Sequence, residues 1–435
     1  MRFLYLYALV PLFCLASLTA NQAHAQTKAV LSEQLSQRAN DVLRLFRGAT
    51  NEAEVFDENF RNAVPPEQFR LLARQVVAQH GQALEITSID PRGSNSAIFK
   101  LRFAKSIGTI SLDVETAPPH RISGLLLTGF EASGNSLDDV LAAIDGLPGR
   151  QGVLIQPLAA TDLPPVAALD SDGRYAIAST FKLYILAELD RAVRAGERQW
   201  SDVVPLGPKS HPSGISQDWP DGSPVTLLTL ATLMISISDN SATDTLIEVL
   251  GQDSLANIVR ATGHHNPDDL RPFLMTRQAS ALKMPEHDVR RNKFLAADPA
   301  KRENLLTEFD GALTLDSIDP RILTSKPSFI DQLEWFATPA DVVRLLAYIH
   351  RNAGADTRSI LAINPGIGQD AARTWDYIGY KGGSEPGVLS YNFLLRSKTG
   401  KSYAVSVNWN NEDQSLQESE LLALTTRMVN LLADQ

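Results

Sequence analysis

Residues 176–193 read AIASTFKLYILAELDRAV, and this stretch decides the fold assignment. Ser179 precedes a run that is apolar on nearly every side of a helix, and such helices are buried. Lys182 follows three residues later, so the two side chains share one helical face, one turn apart. An unpaired ammonium is costly to bury, and its pKa falls in response. A neutral lysine beside a serine hydroxyl is a general base next to a nucleophile.

The alternative interpretation of the same pair is structural. Ser179 would cap the helix, and the Lys182 side chain would extend along the surface to reach water. The spacing S-x-x-K also occurs by chance in many proteins. The assignment therefore depends on further motifs.

A second motif lies in residues 234–251, MISISDNSATDTLIEVLG. An apolar helix stops at the triplet Ser-Asp-Asn at 238–240, and we predict that Ser241 caps the next helix, with Asp244 three residues on. The triplet is either a polar corner between two helices or a functional loop. In a functional loop its serine hydroxyl would shuttle a proton, and its asparagine amide would hold a substrate amide.

Residues 380–400, YKGGSEPGVLSYNFLLRSKTG, contain two lysines in positions that suggest catalysis. Lys381 ends a predicted strand, and the glycine-rich turn after it lets the backbone approach a ligand closely. Lys398 opens Lys-Thr-Gly, but it lies in a polar turn between two alternating strands, which predicts a hairpin tip. We therefore assign Lys381 to the site and Lys398 to the surface.

The start of the chain predicts export. Residues 1–25 combine Arg2, a short apolar run and a small-x-small cleavage pattern, which is typical of a signal peptide. The single cysteine, Cys14, lies in this leader, so disulfides and thiol chemistry are not expected after cleavage. We expect a periplasmic or secreted protein. The net charge of −10 argues against a nucleic-acid partner, and no membrane contact is expected after cleavage.

The 435 residues predict two domains. Two helical stretches and then four β-rich runs indicate a small α+β domain at 27–130. The remainder, 131–435, has strand-like runs at both ends and helices between them. This order predicts an α+β or α/β fold in which helices cover one antiparallel sheet.

Taken together, the three motifs resemble those of class A β-lactamases and the wider penicillin-recognising serine hydrolases. The resemblance covers 131–435, while the first domain resembles small modules of the nuclear-transport-factor-like type only loosely. It implies that the substrate is a small molecule, a β-lactam or a cell-wall-like amide or ester. The implied catalytic residues are Ser179 as the acylated nucleophile, Lys182 as its base or proton relay, Ser238 as proton donor to the leaving amine and Lys381 as carboxylate holder. The implied substrate-binding residues are Asn240, Gly383 and Ser384, with the backbone N–H groups of Ser179 and Ser384 forming the oxyanion hole.

One part of the class A pattern is missing. These enzymes carry a glutamate in an E-x-x-L-N loop that activates the water for deacylation, and the corresponding region here has none. Glu286 is the candidate replacement, against the alternative of a solvated surface charge. Without such a group the protein would stall as an acyl-enzyme, as penicillin-binding proteins do, or would act as a cell-wall peptidase or esterase. A non-catalytic ligand sensor is the remaining alternative.

The sequence implies no cofactor. A metal site is conceivable at His264-His265 with Asp268-Asp269. Adjacent histidines on a turn are expected to point apart, however, so we predict an exposed loop there and no metal.

Overall fold

The structure, a computed structural model, describes residues 31–104, 106–132, 136–159, 163–211 and 213–433. The predicted signal peptide, with Cys14, lies outside these residues. The described residues form two compact units that divide between residues 134 and 135. Among the described residues, none of the helices combines the length and the apolar character of a membrane span.

The first unit packs helices against a four-stranded antiparallel sheet with the strand order β1-β2-β3-β4. Strand β2 alternates half-buried and buried residues, as expected where one face of a sheet covers a core. Its buried side chains meet those of the first helix in a single apolar cluster. The helices are α1 (Glu33–Phe46), α2 (Glu52–Val55), α3 (Glu58–Ala63) and α4 (Pro66–His80), and the strands are β1 (Ala83–Pro91), β2 (Ser96–Phe103), β3 (Ser106–Val114) and β4 (Ile122–Ala132).

The second unit has a five-stranded antiparallel sheet with strands from both ends of its sequence, as predicted. The order is β11-β12-β13-β5-β6. The strands of this unit are β5 (Arg150–Pro157), β6 (Ala167–Leu169), β7 (Tyr175–Ala176), β8 (Val203–Pro205), β9 (Pro224–Thr226), β10 (Phe336–Ala337), β11 (Trp375–Glu385), β12 (Val388–Ser397) and β13 (Ser402–Asn410).

Helices lie on both faces of this sheet and bury two separate apolar clusters. The smaller cluster includes residues of the first and last helices, and the larger one includes residues of the helices between them. The helices are α5 (Leu137–Asp145), α6 (Lys182–Arg194), α7 (Leu227–Ser236), α8 (Asn240–Leu250), α9 (Gln252–Ala261), α10 (Thr276–Leu282), α11 (Asp288–Leu295), α12 (Pro299–Phe309), α13 (Pro320–Ser325), α14 (Pro339–Asn352), α15 (Ala355–Ala362), α16 (Gln369–Ala372) and α17 (Glu418–Ala433).

Candidate active site

Ser179 lies in a single turn of 3₁₀ helix, Ala178–Phe181, that leads directly into α6. The residue before it, Ala178, has a φ of 41°, a conformation that costs a non-glycine residue energy and is common at functional sites. Ser179 is partly exposed, whereas its neighbours on both sides are buried. The turn therefore presents this serine at the surface of an otherwise closed core.

Lys182 is the first residue of α6 and is fully buried. Its Nζ lies 2.6 Å from the carbonyl oxygen of Ser238, 3.0 Å from Ser238 Oγ and 2.7 Å from Asn240 Oδ1. Burial, together with the nearby charge of Lys381, lowers the pKa of Lys182 well below its usual value. A neutral amine can donate to the two carbonyl oxygens and keep its lone pair for a hydroxyl. The alternative in which the Lys182 side chain extends to water is thus wrong. The interpretation in which this lysine is buried is correct.

The loop that carries Ser238 is held by Asp239. Its carboxylate accepts hydrogen bonds from the backbone N–H of Ala242, at 2.8 Å, and of Ser216, at 2.9 Å, so Asp239 is the N-cap of α8. The prediction that Ser241 caps this helix is wrong, because Ser241 is buried and its Oγ accepts from another backbone N–H. Ser238 itself has a φ of 59°. The triplet is therefore a polar helix corner, as in the first interpretation, and it also fixes the positions of a serine and an asparagine.

Lys381 reaches the same hydroxyl from the sheet. It lies on β11, is 3% exposed, and its Nζ is 3.1 Å from Ser238 Oγ. Burial lowers the pKa of Lys381 to about 7. The Ser238 hydroxyl therefore lies between two lysine amines whose pKa values are both depressed.

The second glycine after Lys381, Gly383, is required by a close approach of β11 to the nucleophile turn. A Cβ at this position would lie 2.1 Å from the carbonyl oxygen of Ile177 and 2.8 Å from the backbone N of Ser179. Only glycine lets β11 pass this close to the nucleophile. The strand then continues to Ser384, the residue expected to share the oxyanion hole with Ser179.

A buried polar network lies beside this contact, and no pattern in the sequence predicts it. Asn392 on β12 donates to Thr180 Oγ1 at 2.8 Å, to Ser390 Oγ at 2.9 Å and to the carbonyl oxygen of Lys381 at 3.3 Å. Thr180 also donates to Ser390 Oγ at 3.1 Å. Because Thr180 adjoins Ser179, the network ties the nucleophile turn to the two strands beside it.

Some of these groups line a cavity of about 420 Å³, whereas Lys182, Ser238 and Lys381 are not among its lining residues. Ser179, Asn240 and Ser384 line it, as the sequence predicts for a substrate site. Its wall also contains residues that sequence reasoning missed, namely Ser213, Thr276, Ala279, Ser280, Lys283, Glu334, Trp335, Glu385, Leu389 and Glu418. A cavity that combines a presented serine, amide groups and charged side chains is suited to binding a small polar molecule.

Glu286 does not belong to this cavity. It lies in the 3₁₀ helix Pro285–His287, its side chain is 62% exposed, and its carboxylate faces His287 Nε2 at 3.7 Å. The described residues that line the cavity contribute other carboxylates instead, from Glu334, Glu385 and Glu418. The geometry favours these groups over Glu286 as water-activating candidates. A lone glutamate in an apolar run gave too little signal to identify Glu334 in advance.

Lys398 lies in the exposed turn between β12 and β13. The predicted hairpin tip is confirmed. Its Lys-Thr-Gly triplet is therefore separated from Ser179 by the length of the strand that carries Asn392.

His264 and His265 agree only in part with the predicted exposed loop, because His265 is exposed but His264 is not. His264 is buried, and its ring stacks against that of His265, with centroids 5.7 Å apart and an interplanar angle of 13°. The prediction that the two rings point apart is wrong. Their nearest carboxylate is that of Asp341, not Asp268 or Asp269, and Asp341 Oδ2 lies 2.7 Å from His265 Nδ1. Asp341 also accepts from the backbone and hydroxyl of Thr338, so its oxygens hold the start of α14.

Ser179 lies on a turn just before the buried Lys182, and Ser238 lies between Lys182 and Lys381. Together with the antiparallel sheet and its covering helices, this arrangement is that of a β-lactamase-like serine hydrolase fold. The sequence model of the beta-lactamase enzyme family matches residues 136–429. The chain belongs to this family, and the first domain lies outside the match.

Several solved structures resemble the chain. A β-lactamase from Sphaerobacter thermophilus is 22% identical, with 68% of this chain and 96% of that chain covered and a TM-score of 0.47. PBP-A is 18% identical, with 68% and 95% covered and a TM-score of 0.46. A β-lactamase from Chitinophaga pinensis is 16% identical, with 69% and 99% covered and a TM-score of 0.46. A comparison with curated proteins finds no match.

Proposed function

We propose that the protein opens a β-lactam, or a related amide or ester, through an acyl-enzyme at Ser179. The observation that carries this proposal is the position of Ser238 Oγ, 3.0 Å from Lys182 Nζ and 3.1 Å from Lys381 Nζ, beside the cavity that Ser179 lines. Such a chain of groups moves a proton between a nucleophile and a leaving group.

In the acylation step, Lys182 acts as the base. Its neutral amine takes the proton as Ser179 Oγ attacks the carbonyl carbon, which becomes tetrahedral. The backbone N–H groups of Ser179 and Ser384 stabilise the resulting oxyanion. As the carbon–nitrogen bond breaks, Ser238 gives its proton to the leaving nitrogen and is reprotonated from Lys182. The step ends with a serine ester and a neutral lysine.

Two further groups orient the substrate. Lys381 in its charged form pairs with a substrate carboxylate, since an ammonium is a compact cation with three donors. Asn240 binds a substrate amide, because this residue lines the cavity and its side chain is fixed by Lys182. This arrangement fits a small acidic amide, and a β-lactam has that chemistry.

The test is hydrolysis of a chromogenic cephalosporin by the purified protein. The proposal predicts turnover that disappears in Ser179→Ala and persists in Ser201→Ala, whose serine is exposed. Equal turnover by both variants would contradict a role for Ser179. Binding without turnover that survives Ser179→Ala would favour the ligand-sensor alternative.

We also propose that residues 1–25 direct export and are removed. The composition of this segment supports the proposal. N-terminal sequencing of the protein recovered from its host should begin near Gln26. Recovery of the intact chain from the cytoplasm would contradict export.

A further inference from the structure

Three residues with charged side chains, Lys283, Glu334 and Glu385, line the cavity and have no role in the proposed acylation step. Lys283 Nζ donates to Glu334 Oε1 at 2.5 Å and to both carboxylate oxygens of Glu385 at 2.9 Å. We refer to these three residues as the glutamate cluster. The side chains of Lys283 and Glu334 are 5% and 1% exposed, and all three residues line the cavity with Ser179. The Glu385 side chain is 25% exposed, so the buried pair is that of Lys283 with Glu334. Burying such a pair carries a desolvation cost.

The segment that carries Glu334 is attached to the nucleophile turn. The next residue, Trp335, stacks on Phe181 with ring centroids 3.9 Å apart and an interplanar angle of 7°. The carbonyl oxygen of Trp335 accepts a hydrogen bond at 3.0 Å from the N–H of Ile177, two residues before Ser179. Strand β10 then pairs with β7, which leads into the same turn. Glu334 is thus held in place by a rigid connection to Ser179.

Glu385 approaches from the other side. It follows Ser384 on β11, the strand that passes so close to Ile177 and Ser179 that only glycine fits at position 383. Glu334 lies shortly before β10 and Glu385 lies on β11, so the two carboxylates reach the cavity from two different segments beside the nucleophile turn. Lys283, the residue after α10, donates hydrogen bonds to both carboxyl groups and so joins them in the glutamate cluster.

The pKa of Glu385 reflects its position beside Glu334. Burial, and then the negative charge of Glu334, raises the pKa of Glu385 to about 8. A protonated Glu385 can donate a hydrogen bond to Glu334. Glu334 Oε1 also accepts a hydrogen bond from Lys283, and Glu334 Oε2 is buried. The cavity wall thus holds the Glu334 carboxyl group in a fixed position between Lys283 and Glu385.

From this geometry, and on the basis of the proposed acyl-enzyme, we infer that Glu334 is the general base that activates water to hydrolyse the ester at Ser179. The water oxygen attacks the ester carbonyl carbon, and its proton goes to Glu334. The tetrahedral oxyanion collapses, the bond from carbon to Ser179 Oγ breaks, and the proton passes from Glu334 to Oγ. One water is consumed, the acid product leaves, and both residues return to their starting states. Glu334 would therefore supply the group that the absent E-x-x-L-N loop supplies in class A enzymes.

The experiment separates acylation from deacylation. Glu334→Gln keeps the size of the side chain but cannot accept a proton. With a chromogenic cephalosporin, stopped-flow measurement should show an acylation rate constant within about threefold of the wild type. The deacylation rate constant should fall about 10²- to 10⁴-fold, the range expected for loss of a general base. An adduct at Ser179 should then accumulate in the intact-protein mass spectrum.

Three further variants make the result specific. Glu412→Gln changes an exposed glutamate and should match the wild type in both steps. Glu334→Asp keeps the charge and the pairing with Lys283 but shortens the reach, so deacylation should slow while the melting temperature stays close to that of the wild type. Glu286→Gln tests the rival position directly.

Several outcomes would overturn the inference. An unchanged adduct lifetime in Glu334→Gln, a longer one in Glu286→Gln alone, or an equal loss of acylation and deacylation would each contradict it. A wild-type adduct that persists for hours would do the same, since no base would then be working. The absence of any adduct at Ser179 in both wild type and Glu334→Gln would instead contradict the proposed function on which the inference rests.

Discussion

Lys182 Nζ lies 3.0 Å from Ser238 Oγ, although 56 residues separate them in sequence. Two carbonyl oxygens fix the same amine, so it cannot turn away from the hydroxyl. The lysine on the nucleophile's helix is thereby coupled to the serine on a different helix corner. The proposed proton transfer between Ser179 and the leaving group depends on this coupling.

The first prediction concerns the base itself. Lys182→Met keeps a long side chain in a fully buried position but removes the amine. We expect the acylation rate to fall about 10²- to 10⁴-fold, because general base catalysis is lost. The matched control is Lys398→Met in the exposed turn, which should acylate at the wild-type rate. Stopped-flow absorbance with a chromogenic cephalosporin measures both, and an active Lys182→Met would contradict the assignment.

The second prediction concerns pH. Because burial lowers the pKa of Lys381 to about 7, this lysine is charged below pH 7 and increasingly neutral above it. Binding of a substrate carboxylate should therefore weaken as the pH rises through about 7. We expect KM for an acidic substrate to rise across that interval, measured by steady-state kinetics from pH 5.5 to 8.5. Lys381→Met should have a high KM that no longer changes there, and a preserved pH dependence in that variant would show that another group titrates.

The same shift affects stability with a defined sign. In the unfolded chain Lys381 has its ordinary pKa of 10.5, so between about pH 7 and that value the unfolded state binds more protons than the folded state. The contribution of this lysine to the free energy of unfolding should rise with pH in that window. Urea titrations of the wild type and Lys381→Met should therefore differ most at pH 7 and converge as the pH rises. A difference that stays constant with pH would contradict the buried, depressed lysine.

The third prediction concerns the contact between β11 and the nucleophile. Gly383→Ala adds a methyl group that would lie 2.1 Å from one backbone atom and 2.8 Å from another. Neither backbone atom can move like a flexible side chain, so the strand must shift. We expect a loss of about 1–3 kcal/mol in the free energy of unfolding, as for overpacked positions, together with a large loss of acylation.

The matched control is Gly311→Ala. A Cβ there would have no neighbour within 4 Å, so the unfolding free energy should change by less than about 0.5 kcal/mol. Urea denaturation measures both variants. Equal behaviour of the two alanine variants would mean that the close approach at Gly383 is not needed.

The fourth prediction concerns the Asp239 cap. Asp239→Ala removes the acceptor for backbone N–H groups of two segments, Ile215–Ser216 and the start of α8. Because the donors left behind are buried, we expect destabilisation of about 2–4 kcal/mol, more than the usual cost of about 1 kcal/mol for a lost cap. Asp298→Ala, which removes the exposed cap of α12, should show only the usual cost. Similar losses in the two variants would contradict a special role for Asp239.

The sequence was sufficient for the parts of the site that depend on short spacing. Ser179 and Lys182 share one turn at the start of α6. Hydrophobic periodicity identified the buried α6, and turn composition placed Lys398 on a hairpin. Each of these features is decided within a few residues of chain, so a pattern in the sequence suffices to predict it.

The parts that could not be predicted depend on long-range contacts. Lys283 meets Glu334 and Glu385 across 51 and 102 residues, and no periodicity predicts which charges meet at such separations. The cap of α8 was assigned to Ser241 because the capping-box pattern fits it. Tertiary hydrogen bonds from Ile215 and Ser216 instead fix Asp239, two residues earlier, as the cap. Glu286 was chosen only because it lies in the expected stretch of sequence, and burial distinguishes it from Glu334.

The most direct test of acylation at Ser179 is intact-protein mass spectrometry of the purified protein, from seconds to hours after addition of a chromogenic cephalosporin. The account predicts a transient mass increase equal to one acyl group, located by peptide mapping at Ser179, absent in Ser179→Ala and present in Ser201→Ala. Its decay should match the release of hydrolysed product. No adduct and no product in the wild type, or an adduct that survives Ser179→Ala, would contradict the claim that this serine is the nucleophile.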